Sequence, residues 1–223
     1  MTIVGTVLAS HEAEALPLDH GELTVRDDAG DAWDTAAIGA DGTFTVAAPA
    51  GVRIYADVGA PDLLTASFTA TSGLSDFAAE TGTLYAFDEG ELAVWTDDFA
   101  GCPGADQGGL ADGGALVGEV RFDDLVDDDG QNTIVTNAVV SWIPASGPEQ
   151  GACYLDLEGL AYDPAAAYTG DSGRFAVFGA TPGLGTLKVG FQVYEGSWSF
   201  VSYDTRVPEG GVVPRFPAWL EFL

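Results

Sequence analysis

Short segments in which apolar and polar residues alternate, each bounded by Gly, Pro or Asp, run along the whole chain. An alternation with a period of two is typical of half-buried β-strands. No segment combines an apolar stripe of period 3.6 with helix caps, although residues 75–80 could form one helical turn. The 30 Gly and 11 Pro supply turns for many short strands. We therefore predict an all-β fold.

The predicted strands fall into two groups separated by a glycine-rich segment. The first group contains Leu23, Val25, Phe44, Val46, Val52, Ile54 and Tyr55 and continues through residues 63–71, 83–87 and 92–96. The second covers residues 116–122, 138–143, 174–178, 186–193 and 198–203. Residues 99–114, between them, have few large apolar side chains, which is typical of a linker. We predict two β-sandwich domains, residues 1–98 and 115–223, joined by a linker at 99–114.

The two groups also repeat the same order of motifs. Gly5-Thr6-Val7 opens the first group and Gly118-Glu119-Val120 opens the second. Each opening is followed by a strand, then by a Gly-x-Phe-x-Val hairpin at residues 42–46 or 173–177, and then by a turn with Pro and Gly. A duplicated module accounts for this order.

These residues resemble the carboxypeptidase regulatory-like, or transthyretin-like, β-sandwich family. Residues 169–175 (TGDSGRF) match the hairpin of that family, and Pro182-Gly183 match the turn that follows it. The first copy is looser, because Ala50 separates Pro49 from Gly51. The resemblance implies two tandem Greek-key sandwiches of about seven strands each, in a non-catalytic module of a secreted or surface-anchored protein.

The charge is strongly negative, with 35 acidic residues, 7 Lys and Arg, and a formal net charge of −28. Nucleic acids and anionic lipid surfaces are excluded as partners, because phosphates are repelled and no basic stripe is present. Three interpretations of the acidity stay open: a solvated surface suited to a salty medium, binding of divalent cations, or recognition of a basic partner.

Cys102 and Cys153 are the only cysteines. One disulfide between them fits an oxidising compartment, although two separate thiols are the alternative. No apolar run is long enough for a transmembrane helix and no signal peptide is visible, so we expect an extracellular or cell-surface protein whose leader has been removed.

The densest acidic stretch, residues 123–132, is a candidate calcium loop. Calcium prefers six to eight oxygen ligands from a bendable loop, and Asp127, Asp129 and Asn132 are the predicted ligands, with Asp123 or Asp124 completing the shell. An EF-hand is excluded, because Leu125 and Thr136 occupy ligand positions. A solvated loop between strands is the alternative.

The sequence contains fragments of catalytic motifs, but each lacks the other residues that its chemistry needs. Residues 170–173 (GDSG) spell the surroundings of a serine-protease nucleophile, but the only histidines, His11 and His20, lie in the other half. A hairpin turn in which Gly173 supplies a positive φ explains the segment better. The zinc-peptidase pattern and a four-ligand zinc site also lack ligands. We predict that the chain is not an enzyme and holds no cofactor except, on the calcium interpretation, Ca²⁺.

Two surfaces remain as binding candidates. Most of the five Trp lie in predicted strands and should pack in the core, but the hairpin at residues 194–198 could present an aromatic surface to a glycan. The C-terminal residues 214–223 are apolar, and Phe216, Trp219 and Phe222 form a candidate interaction tail. We therefore predict a binding or adhesion module for an unknown protein or glycan; the alternatives are a subunit that assembles with its own copies through the tail, and an unrecognised hydrolase.

Overall fold

The computed structural model describes residues 1–10, 15–71, 84–110, 113–126, 132–194 and 196–220. The described residues of the first half form seven strands: β1 (Thr2–Leu8), β2 (Glu22–Arg26), β3 (Ala32–Ala37), β4 (Thr43–Ala47), β5 (Arg53–Gly59), β6 (Ala66–Thr71) and β7 (Leu84–Tyr85). A helix, α1 (Glu89–Asp98), and a 3₁₀ turn (Ala105–Gln107) connect it to the second half. The predicted all-β fold is confirmed, and the helical turn predicted at residues 75–80 lies outside the described residues.

Nine strands lie in the described part of the second half: β8 (Gly114–Val126), β9 (Asn132–Ile134), β10 (Ala138–Pro144), β11 (Gln150–Gly151), β12 (Cys153–Tyr154), β13 (Arg174–Ala180), β14 (Gly183–Tyr194), β15 (Ser197–Val207) and β16 (Val212–Leu220). No helix in the described part of the chain is both long and apolar enough to cross a membrane.

The strands of the described residues form three sheets. A three-stranded sheet has the order β4-β1-β7, and a four-stranded sheet has the order β11-β10-β14-β15. A nine-stranded sheet runs through both halves in the order β12-β13-β8-β16-β6-β5-β2-β3, with β9 paired to β8. The halves join where Val212 of β16 lies opposite Ala66 of β6, and the Val212 amide donates to the Thr65 carbonyl at 2.8 Å.

Equivalent strands of the two halves have equivalent partners. β1 pairs antiparallel with β4 and parallel with β7, as β8 pairs with β13 and β16. The order β3-β2-β5-β6 in the first half corresponds to β11-β10-β14-β15 in the second. The register also agrees, since Gly5 lies opposite Phe44 and Gly118 lies opposite Phe175. The motif order of the sequence therefore corresponds to positions in the fold.

The two hairpin turns match in detail. Gly42 and Gly173 have φ angles of 77° and 66°, values that L side chains rarely adopt, as predicted for Gly173. The carbonyl of Gly42 accepts from the Val7 amide at 2.9 Å, and that of Gly173 accepts from the Val120 amide at 3.0 Å.

Each half has an apolar core, and β8 and β13 contribute to both. Ala115 and Val117 of β8 lie in the first core, whereas Leu116 lies in the second. In β13, Ala176 belongs to the first core and Phe175 to the second. These strands are buried on both faces, which explains their unbroken apolar runs.

The strand predicted at residues 92–96 is wrong, because this segment lies in α1. The Asp88 carboxylate caps the helix by accepting from the Glu91 amide at 2.6 Å, and Glu89 and Glu91 lie in the first turn, where the helix dipole favours acidic groups. Leu92 and Trp95, three residues apart, are the buried residues of the helix.

The segment predicted as a linker contributes to the core. Phe99, Cys102 and Ala105 are buried in the first core. The predicted disulfide between Cys102 and Cys153 is present and closes a separation of 51 residues. It joins the segment after α1 to β12.

A buried carboxylate connects the outer faces of the two halves. Asp57 on β5 is only 7% exposed and accepts from Arg26 of the same half at 2.7 Å and from Arg206 on β15 at 2.8 Å. A second ion pair, 2.5 Å long, joins Arg53 and Asp204 across the same interface. The contact between the halves is therefore polar as well as apolar.

Candidate functional site

The predicted calcium ligands lie around the hairpin between β8 and β9. The backbone of Asp123 belongs to β8 and that of Asn132 opens β9, where Asn132 lies opposite Val126. Asp127 and Asp129 lie outside the described residues. Calcium binding stays a prediction. Among the described residues, no group of three His, Cys, Asp or Glu side chains could hold a metal ion.

The corresponding acidic segment of the first half forms a structural turn. The Asp27 carboxylate accepts from the amides of Ala29 and Asp31 at 2.8 and 2.9 Å. Asp28 accepts from the Tyr55 hydroxyl at 3.3 Å. These two carboxylates stabilise the turn and its contact with β5.

Ser172 and His20 serve local structure. The Ser172 hydroxyl accepts from the Arg174 amide at 3.3 Å, as in a turn. His20 lies 2.8 Å from Asp19 and 3.0 Å from Asp62, and these hydrogen bonds raise its pKa. His11 lies outside the described residues. The Ser172 turn and the His20 cluster belong to different halves and use their polar atoms locally.

The C-terminal segment is a strand of the second half. Residues 212–220 form β16, which runs parallel to β8, with Trp219 opposite Arg121. Phe216 belongs to the same strand by its backbone, and Phe222 lies outside the described residues. The described part of this predicted interaction tail, up to Leu220, thus belongs to a strand paired with β8 within the chain.

The tryptophans separate into core and surface. Trp95 and Trp142 are 4% and 0% exposed, as expected of core residues. Trp198, at the start of β15, is 43% exposed and lies beside Phe200, which is 52% exposed. Their rings are stacked with centroids 6.4 Å apart and planes inclined by 20°. Two neighbouring aromatic side chains exposed on one sheet face form an apolar surface available for binding.

A lysine completes this surface. Lys188 Nζ lies 4.1 Å from the centroid of the Phe200 ring, within cation–π distance. Lys188 is opposite Ser202 in the β14–β15 register, Phe200 is opposite Gly190, and Trp198 is opposite Gln192. The order along the sheet is therefore Lys188, Phe200, Trp198, and we call these three residues the lysine–aromatic surface.

Gly190 lets the Phe200 ring lie close to the sheet. A Cβ atom at residue 190 would lie 2.4 Å from Cε1 and 2.6 Å from Cδ1 of Phe200. Such distances are shorter than any normal carbon contact. A glycine opposite an aromatic residue therefore fixes where the ring rests.

A groove of about 410 Å³ adjoins Lys188 and Phe200. Val139 and Ala167 contribute apolar walls, and Ser141 and Glu149 contribute polar groups. Tyr154 also lines the groove, but its hydroxyl donates to the Val140 carbonyl, and burial raises the pKa of Tyr154 to about 12. Tyr154 is therefore a neutral structural group, and the polar chemistry of the groove rests with Ser141, Glu149 and Lys188.

This combination suits a ligand that has both apolar faces and hydroxyl groups. The negative π-face of an aromatic ring attracts the weakly positive C–H groups on the face of a sugar ring. Lys188 donates hydrogen bonds, Glu149 accepts them, and the Ser141 hydroxyl can do both.

Sequence reasoning had identified Trp198 but missed Phe200 and Lys188. The sequence feature that could have pointed to Phe200 is that both faces of β15 carry large apolar residues, so that one of the two faces can be left exposed. Trp198 and Phe200 share one face, while Val201 and Tyr203 pack against the second core from the other. Alternation alone does not tell which of two apolar faces is covered.

No protein-family profile matches the chain, and no curated protein is detectably similar in sequence. Solved structures with partial similarity include the shaft pilin SpaA of Lactobacillus rhamnosus GG, with 11% identity over 99% of this chain and 98% of that chain and a TM-score of 0.31. The minor pilin GBS52 of Streptococcus agalactiae has 11% identity over 100% and 96% of the two chains and a TM-score of 0.31. The TIE protein of Bacillus anthracis has 10% identity and a TM-score of 0.28, and the match covers 96% of this chain but only 33% of that protein. TM-scores this low support no argument about the function of this chain.

Proposed function

We propose that this chain is a non-catalytic extracellular or cell-surface module that binds carbohydrate on its lysine–aromatic surface. The observation that carries the proposal is the exposed, stacked pair of Trp198 and Phe200 beside the polar groove. Exposing two large aromatic rings is unfavourable unless a ligand covers them, because each ring keeps about half of its apolar area in water.

The disulfide supports the extracytoplasmic part of the proposal. Cys102 and Cys153 are bonded, and structural disulfides persist in oxidising compartments. Residues 212–220 pair with β8 and are part of the fold, so we place the binding function on the lysine–aromatic surface and not on a free tail.

We also propose that residues 1–98 and 115–223 are two copies of a carboxypeptidase regulatory-like module. The support is the shared strand order and register described above, including the pairs Gly5–Phe44 and Gly118–Phe175.

A calcium ion bound by Asp123, Asp127, Asp129 and Asn132 would stiffen the β8–β9 hairpin of the second copy. A melting temperature that rises in calcium but not in magnesium at equal ionic strength would support this site, and equal shifts would oppose it.

A glycan array with a purified double variant tests the binding proposal. Trp198→Ala with Phe200→Ala should abolish glycan binding without unfolding the protein. Leu160→Ala is the matched control, because Leu160 is 77% exposed and does not belong to the surface. Binding that survives in the double variant, or no binding by the native chain, would refute the proposal.

A further inference from the structure

We infer that the glycan carries a carboxylate and that Lys188 binds it. This inference rests on the proposed function and specifies its ligand. Lys188 lies at one end of the lysine–aromatic surface, so a sugar stacked on Phe200 and Trp198 extends one substituent toward the ammonium group. The ligand class is an oligosaccharide with a uronic- or sialic-type sugar.

The state of the other cations supports a ligand role for Lys188. Arginines 26, 53, 121, 174 and 206 each form an ion pair with an Asp or Glu of the chain. Within the part of the chain whose side chains are described, Lys188 is the one Lys or Arg without such a pair. In a chain with 35 acidic residues, an unpaired ammonium beside an exposed aromatic surface leaves a positive charge for an incoming anion.

The charges of the protein also limit the ligand to a glycan whose carboxylates lie far apart. The net charge of −28 repels any densely anionic polymer, and one lysine neutralises one carboxylate only. Glu149, which lines the adjoining groove, would oppose a second carboxylate there but can accept hydrogen bonds from sugar hydroxyls. A sulfated polysaccharide therefore does not fit, whereas one acidic sugar among neutral ones does.

Lys188 also has a defined position. Its ammonium lies against the Phe200 ring, and Ser141 is opposite it on β10. A partly ordered lysine loses less side-chain freedom on binding than a free surface lysine does. The carboxylate should therefore bind at a fixed place relative to the stacked sugar ring.

The test is an array in which each acidic glycan is paired with its carboxyl-reduced neutral form, together with a sulfated glycosaminoglycan. We expect the native chain to bind the acidic members about tenfold more tightly than their reduced partners, as expected for a hydrogen bond to a charged group. Lys188→Gln should bring the acidic and carboxyl-reduced members of each pair to equal affinity, and Lys188→Arg should retain the preference for the acidic member.

The outcomes distinguish failure of the carboxylate inference from failure of the proposed carbohydrate binding. Equal binding of acidic and reduced glycans would overturn the role of Lys188 and leave the proposed function intact. Stronger binding of the sulfated polymer would also overturn the inference. If no glycan binds, the proposed function fails and the inference fails with it.

Discussion

Gly190→Ala should displace the Phe200 ring and thereby test the geometry of the lysine–aromatic surface directly. The new Cβ would lie 2.4 Å from Cε1 of Phe200, so the ring must swing toward solvent. Three contributions are then lost: about 1 kcal/mol from the buried half of the Phe200 side chain, about 0.5–1 kcal/mol from the stack with Trp198, and about 0.5 kcal/mol from the contact with Lys188. Replacing Gly with Ala also stabilises the folded protein by about 0.5 kcal/mol, because Ala reduces the conformational freedom of the unfolded chain.

The expected net loss is therefore about 1.5–2 kcal/mol in the free energy of unfolding, measured by urea denaturation with the disulfide intact. In a Phe200→Ala background the clash is absent, so Gly190→Ala should be neutral or slightly stabilising there. The coupling of about 2 kcal/mol exceeds the roughly 0.5 kcal/mol by which independent mutations deviate from additivity.

Gly151→Ala is the matched control for this experiment. Gly151 is also a strand glycine of the same sheet, and its added Cβ would meet nothing within 4 Å. Its substitution should change stability by less than about 0.5 kcal/mol. An equal cost of Gly190→Ala with and without the Phe200 ring would refute the reasoning. Displacement of the ring should also weaken glycan binding, although all three residues of the surface are still present.

Three other perturbations test the contacts that support the fold. Asp57→Asn removes the negative charge that pairs with Arg26 and Arg206, which belong to different halves. We expect the free energy of unfolding, measured by urea denaturation, to fall by about 2–3 kcal/mol. A fall of less than about 1 kcal/mol would contradict the buried pairing. Cys153→Ser opens the disulfide and should cost about 4 kcal/mol in the chain-entropy model, with no further effect of reductant on the variant. The pKa of His20, raised by Asp19 and Asp62, should fall in Asp62→Asn when followed by NMR. Because the folded pKa is the higher one, the stabilisation by protonated His20 is complete below about pH 6.5, the unfolded value, and is lost as pH rises through the folded pKa.

The strands and turns could be predicted because their signals are local. Alternation identified most strands of both halves, and the Gly173 turn followed from its need for a positive φ. The helix α1 was missed although its signal was also local: Asp88 followed by Glu91 is a capping pattern, and Leu92 and Trp95 have helical spacing.

Features that depend on distant residues could not be predicted. No local pattern indicates that Val212 joins a sheet with Ala66, or that Asp57 pairs with Arg206 across 149 positions. The lysine–aromatic surface has the same origin, because its exposure depends on which face of β15 is covered. Alternation shows two faces of a strand, and tertiary packing alone decides which of them meets water.

The pairing of β16 with β8 has a mechanical consequence. The two strands are parallel, from Val212 opposite Ala115 to Leu220 opposite Phe122. Tension between residue 114, where β8 begins, and residue 220, where β16 ends, pulls the strands in opposite directions along their axes. The hydrogen bonds between them then share the force in shear and must yield together instead of opening one after another. The second half should therefore resist extension by a force applied at these two residues.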